Sequence, residues 1–238
     1  VVVVGHFQQQ SKAFDLGAVS PFATHGLNAG YAVMFFFAIS GFLMSTVLST
    51  KYEPTAAGTL AFYRSRFIRI FSLYWPLVLV LLIVPPFGSD VRAAFQNASW
   101  ADKIAYVTLM GTDWRLVLPE FPKSHSQATL PYIQQSWALS LELSFYLLAP
   151  FLLRSWKAVA VVLVASIAWR LYMIEPRGQF TETLRYYFFP ATVCFFLLGD
   201  AARRAPSRFP VLMSGCAALL FLAISILAMV GPGPWVYW

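Results

Sequence analysis

The chain has 238 residues, of which 59% are hydrophobic and only 11% charged. A soluble domain carries roughly 45–50% apolar and about 25% charged residues, so this composition argues against a soluble fold. The formal charge of +7 comes with no basic run interleaved with aromatics, which speaks against a nucleic-acid partner; most Arg and Lys instead flank apolar blocks.

The opening Val1-Val-Val-Val-Gly5-His6 has no Met, no basic leader and no cleavage site, and it reads as the tail of a truncated helix. Apolar blocks then run over residues 31–48, 70–84, 137–153, 158–174, 186–199 and 211–230. A helical span needs about 20 such residues, fewer where flanking Trp, Tyr and Arg reach the headgroups. The interrupted stretch 104–118, with Gly111, Asp113 and Arg115, reads as interfacial or re-entrant. The expectation is an all-α polytopic transmembrane bundle: about six complete spans, a partial first helix and one interfacial or re-entrant segment. It forms a single integral membrane domain over residues 1–238, a fragment of a longer protein, with 85–135 an outward-facing loop region.

Charge orients these blocks. Loops 49–69, 154–157 and 200–209 hold nine basic residues against Glu53 and Asp200, while the opposite side holds eight basic and seven acidic ones. The positive-inside rule places the three short loops in the cytoplasm. Cys194 and Cys216 lie in apolar stretches far from any ligand spacing, so neither a disulfide nor a metal site is expected. The sequon Asn97-Ala98-Ser99 carries little weight, since the pattern is common by chance.

Four clusters place polar groups among apolar residues, where an ionisable side chain is costly and marks function by default. His6 closes an apolar run beside Gly5; an imidazole suits a general base, and the bland reading is an interfacial residue ending a helix. Ser40-Gly41 lies deep among aromatics. Small residues there let another helix or a ligand chain approach, whereas a nucleophile would need a base, and no Gly-x-Ser-x-Gly elbow is present. Arg66 and Arg69 share one helix face and suit phosphate groups, the alternative being anchoring on anionic lipid. Glu142 lies about 7.5 Å inside Trp137 at roughly 1.5 Å per residue, below the headgroups. It must be neutral, solvated or paired, with Arg170 or Arg185 as possible partners, and a structural ion pair is the bland reading.

In this order the clusters resemble acyltransferase family 3, membrane enzymes that O-acylate sugars and surface glycans. The likeness rests on His6 after its apolar run, on Phe36-Phe-Ala-Ile-Ser40-Gly-Phe-Leu43, and on Arg66-Phe-Ile-Arg69-Ile70. It continues through Trp137-Ala-Leu-Ser140-Leu-Glu142-Leu-Ser-Phe-Tyr146-Leu-Leu-Ala-Pro150 and through residues 188–199, and so covers nearly the whole chain. Ala138 and Ser72 depart from the family's usual Ser and Pro, and an arginine the family carries about ten residues before the histidine would lie upstream of Val1.

The resemblance implies an acyl-CoA-dependent O-acyltransferase, with acetyl the default group, modifying a polysaccharide or lipid-linked sugar at the bacterial inner membrane. His6 and Glu142 would be catalytic, and Arg66 and Arg69 would bind the acyl-CoA donor. Ser40, Trp137, Ser140 and Tyr146 would support them. No cofactor is held permanently; the partners are acyl-CoA, a glycan acceptor and membrane lipids. The competing readings are a transporter or flippase, for which no inverted repeat is seen, and a non-enzymatic sensor or scaffold.

Overall fold

The computed structural model describes residues 29–83, 93, 95–117, 136–173 and 184–204. Among these, all regular structure is helical: α1 (Ala29–Thr50), α2 (Ala56–Ile83), α3 (Trp100–Thr108), α4 (Thr112–Val117), α5 (Ser136–Leu152), α6 (Trp156–Tyr172) and α7 (Phe189–Arg204). His6, Cys216 and the apolar block 211–230 lie outside the described residues, as does most of the 85–135 loop.

α1 and α2 are long and apolar enough to cross a membrane. Their faces are the inverse of a soluble helix. α1 turns Phe35, Phe36, Ile39, Phe42 and Leu43 outward and buries Ser40, Gly41 and Ser45 alongside Met34, Phe37 and Met44. α2 likewise exposes Leu73, Leu77 and Val80. Large apolar side chains outside and hydroxyls inside fit hydrocarbon surroundings, because water would drive the opposite arrangement. α5, α6 and α7 are shorter, at 17, 17 and 16 residues.

α7 is the central element, and every residue from Ala191 to Asp200 is buried. Two glycines bring α1 onto it. A Cβ on Gly41 would lie 1.9 Å from the Phe196 carbonyl oxygen, and one on Gly199 would lie 1.9 Å from that of Ala38. The backbones therefore touch, as expected for small residues at a membrane helix crossing. This is the packing role read for Ser40-Gly41. Phe196 then stacks between Phe37 and Phe145, at ring-centre separations of 4.7 and 4.4 Å, tying α1, α7 and α5 together. Each such aromatic pair adds about 0.5–1.5 kcal/mol beyond its buried area.

α6 runs against α7 through Ser166, whose hydroxyl donates to the Pro190 carbonyl at 2.7 Å and accepts the Cys194 N–H at 3.2 Å. Pro190 lies in the first turn of α7, where its missing N–H costs nothing. Cys194 is a buried free thiol, in accord with a core reading. α5 meets α2 through Tyr63, whose hydroxyl donates to the Leu147 carbonyl at 2.8 Å. Arg154 donates to Thr59 Oγ1 at 3.2 Å, and Arg204 donates to the Leu153 carbonyl. The start of α2, the end of α5 and the end of α7 thus gather at one end of the bundle, the grouping expected from charge.

Two boundaries differ from expectation. Residues 56–69 belong to α2 rather than to a loop: Thr55 Oγ1 accepts the Gly58 N–H at 3.1 Å as an N-cap, and nothing breaks the helix between there and the apolar block. Hydropathy dips at the arginines, but backbone hydrogen bonding does not. Residues 200–204 likewise complete α7, because Arg203 and Arg204 fall at i+3 and i+4 from Asp200 and neutralise it within the helix.

The interrupted stretch forms α3 and α4, separated by a turn in which Leu109 and Gly111 take positive φ values of 57° and 73°. α3 docks on α2, with the Tyr74 hydroxyl donating to the Tyr106 carbonyl at 2.6 Å and Trp75 Nε1 to that of Val107 at 3.0 Å. Its Trp100, Ile104 and Val107 face outward at helical spacing, as on an interfacial helix. Ser99, the sequon serine, is the N-cap of α3.

Candidate functional site

The site is assembled from three helices around one carboxylate. Glu142 is buried on α5, and its Oε1 accepts the Ser40 hydroxyl of α1 at 2.9 Å. The same oxygen accepts the Tyr146 hydroxyl, one turn further along α5. The expected partners Arg170 and Arg185 do not supply this contact. Arg170 turns instead to the Arg185 and Ala191 carbonyls at 2.8 and 3.1 Å, with its guanidinium 5.0 Å from the Phe195 ring. It thereby ties α6 to the first turn of α7 and to the segment just before it. Among the described residues, Glu142 is held by hydroxyls and forms no ion pair.

Tyr146 links the carboxylate to the arginines of α2. The Arg66 guanidinium lies 5.9 Å from the Tyr146 ring centre and 5.7 Å from that of Phe62. Such ring contacts hold a cation without neutralising it. The hydrogen bonds of Arg66 are weak ones: Nη1 reaches the Met44 thioether at 3.6 Å, Nη2 reaches Ser65 at 3.2 Å, and the buried Nε has no acceptor among the described residues. A guanidinium has five donors in a fixed fork, so most of its capacity is unused. Arg69 is exposed on the same helix, close enough for its charge to act on the Tyr146 hydroxyl.

Ser40, Glu142, Tyr146, Arg66 and Arg69 therefore converge, although they come from separate parts of the chain. Trp137 and Ser140 stand apart from the carboxylate. Trp137 packs at the start of α5, at 4.8 Å from both Tyr186 and Tyr187 and 6.3 Å from Phe37. Ser140 and Ser136 are fully buried, and among the described residues neither hydroxyl has a hydrogen-bond partner. His6 lies outside the described residues.

A second polar cluster escaped the reading of the sequence. Asp200 is fully buried and pairs with Arg204 at 2.6 Å, with Arg203 at 3.9 Å. Ser45 of α1 donates to the Asp200 carboxylate and accepts from Arg203 Nε. The signal was present in Asp200-x-x-Arg203-Arg204, an acid followed by bases at helical spacing, but it was hidden by the assignment of this segment to a loop.

Chemically, the first cluster offers a carboxylate with two hydroxyls on it, an under-used guanidinium beside it, and a second arginine nearby. It suits proton handling next to an anion-binding group. The family model described as an acyltransferase domain matches residues 1–238. No curated protein and no solved structure matches the chain. With the whole chain matched, this protein belongs to acyltransferase family 3.

Proposed function

We propose that this protein is a multi-pass enzyme of the bacterial inner membrane that moves an acyl group, acetyl by default, from acyl-CoA to a hydroxyl of a sugar or other surface glycan. One observation supports this reading above others: Glu142 with its two hydroxyls and the under-satisfied Arg66 meet on either side of Tyr146. A transfer reaction on a thioester needs both parts, one to handle a proton and one to hold an anionic donor.

In this reading the acceptor hydroxyl oxygen attacks the thioester carbonyl carbon, and the carbon–sulfur bond breaks as the ester forms. His6 takes the hydroxyl proton, and the proton leaves with the thiolate as free CoA. Arg66 and Arg69 hold donor phosphates, and Arg66 stays available because no carboxylate among the described residues neutralises it. Glu142, fixed by Ser40 and Tyr146, orients the acceptor or the imidazole. Trp137 and Ser140 line the outward half of α5, where the acceptor would enter. The full bundle would carry about six spans, with 85–135 facing outward.

The experiment is transfer of label from radiolabelled acetyl-CoA to glycan in membranes containing the protein, with His6→Ala, Arg66→Ala and Glu142→Gln compared at equal protein level. His6→Ala and Glu142→Gln are each expected to lose at least about 100-fold of the rate, the scale of acid–base catalysis, and Arg66→Ala to raise the KM for acetyl-CoA by about tenfold, the size of a hydrogen bond to a charged group. Full activity of His6→Ala would remove the base from the scheme. Movement of substrate across the membrane without any acyl transfer would replace the enzyme with a transporter.

A further inference from the structure

Three arginines gather at the end of the bundle where α2 begins and α5 ends. Arg204 donates Nη2 to the carbonyl of Leu153, the residue just before Arg154, whose own side chain bonds to Thr59. Arg203 is fixed through Ser45, and both Arg203 and Arg204 share the one buried carboxylate of Asp200. A structural ion pair needs one cation for each carboxylate. Here Arg203 and Arg204 both pair with Asp200, and Arg154 directly follows the Leu153 carbonyl that Arg204 reaches, which leaves two positive charges in excess among these four residues.

The arrangement is anchored behind and open in front. Asp200 has no exposure, whereas the Arg203 and Arg204 side chains keep 26% and 29% of theirs, and Arg154 is exposed. Gathering like charges costs energy unless an anion completes the set, and guanidinium forks match phosphate oxygens. Charge also selects among phosphates. A phosphodiester, as in a lipid headgroup, carries one negative charge, and a phosphomonoester carries about 1.5 to 2 at neutral pH. Two excess charges match the monoester.

We propose that Arg154, Arg203 and Arg204 form a phosphomonoester site, pre-set by Asp200 and Ser45, that takes the ribose 3′-phosphate of a coenzyme A thioester. The proposal rests on the reading of acyl-CoA as donor. Distance supports it: Leu153, the acceptor of Arg204, is about 16 Å along α5 from Glu142 at roughly 1.5 Å per residue. A donor with its phosphates at one end and its thioester on a long arm spans such a separation. Arg66 lies between, about 10 Å along α2 from Thr59 on the same scale.

The test compares acetyl-CoA with 3′-dephospho-acetyl-CoA as donors for protein in nanodiscs of phosphatidylcholine, with and without added phosphatidylglycerol. Wild type should show a KM on the order of tenfold higher for the dephospho donor, the size of a charge-assisted hydrogen bond. Arg203→Gln and Arg154→Gln should raise KM for acetyl-CoA to the dephospho value and leave kcat and the dephospho KM unchanged. Arg154 is exposed, so its variant keeps the fold.

Persistent discrimination in both variants overturns the site, as does equal use of both donors by wild type. Losses that are equal for the two donors and appear only with phosphatidylglycerol would assign the arginines to lipid. Binding of adenosine 3′,5′-bisphosphate against adenosine 5′-monophosphate reads the same site without turnover. An arginine-dependent preference for the bisphosphate in a protein that transfers no acyl group would uphold the site and refute the enzyme reading. The lack of any preference would refute the site.

Discussion

Helix α1 contributes a serine to each of two polar clusters, and they are built on opposite plans. Around Ser45 the ions meet: Asp200 is paired with Arg203 and Arg204, and both arginines carry further hydrogen bonds. Around Ser40 they are kept apart. Glu142 receives hydroxyls, and Arg66 rests on rings and a thioether, with Tyr146 touching both. A buried charge with a poor partner costs stability, so the second plan persists only where something other than stability is gained. The contrast assigns Asp200 to holding the bundle and Glu142 to chemistry.

The largest effect that would break this division lies at Asp200. In Asp200→Ala, two arginines and Ser45 lose their common partner, and breaking a buried pair costs about 3–5 kcal/mol. The apparent Tm in detergent should fall by many degrees, and little folded protein should be recovered. An unchanged Tm would show that the cluster does not hold α1 on α7. Glu142→Gln should do the reverse. The amide keeps an oxygen for the Ser40 and Tyr146 hydroxyls, so stability should stay within about 1 kcal/mol of wild type, as for a substitution that leaves its partners bonded. Acyl transfer should nonetheless fall at least about 100-fold. Loss of both together would place Glu142 on the structural side.

Smaller effects sharpen the comparison. Ser40→Ala and Tyr146→Phe each remove one hydroxyl from the carboxylate, and each should lower transfer by about tenfold, the size of one hydrogen bond to a charged group. In the Glu142→Gln background neither change should cost more than about twofold, because residues acting on one group are non-additive. Full additivity would mean that the hydroxyls act on something other than Glu142.

The two clusters were unequally legible in the sequence. Ser40, Arg66, Glu142 and Tyr146 stand out because each is polar among apolar neighbours, a property readable one residue at a time. Their meeting is not: Ser40 and Glu142 are 102 residues apart, and the contact depends on the close crossing of α1 and α7 at Gly41 and Gly199. The expected arginine partner for Glu142 failed for the same reason. Arg170 is instead turned toward the Arg185 and Ala191 carbonyls, a choice of acceptor that spacing along the chain does not reveal. Helix limits failed at both arginine-bearing segments, since hydropathy follows side chains while a helix follows its backbone. The all-helical character and the inside-out faces needed only composition and spacing.

The smallest expected effect lies outside the spanning helices, at Asp113 of α4, and it applies the same contrast to a third carboxylate. Asp113 is buried; one of its oxygens accepts the Phe189 N–H at the start of α7 at 3.3 Å, and the other has no partner among the described residues. Burial raises its pKa above the ordinary value of 3.8, and the backbone N–H groups of Phe189 and Trp114 oppose the shift without cancelling it. The fold therefore favours the protonated carboxyl. That contribution to stability is fully present below the unfolded pKa and is lost as pH rises through the raised folded value. Asp113→Asn keeps an oxygen for Phe189 and removes the charge. Its apparent Tm should match wild type in acid and exceed it toward neutral pH by about 1–2 °C, a change well under 1 kcal/mol. Parallel Tm curves across that range would mean that Asp113 is as well matched as Asp200, with its second oxygen satisfied by a group beyond those described.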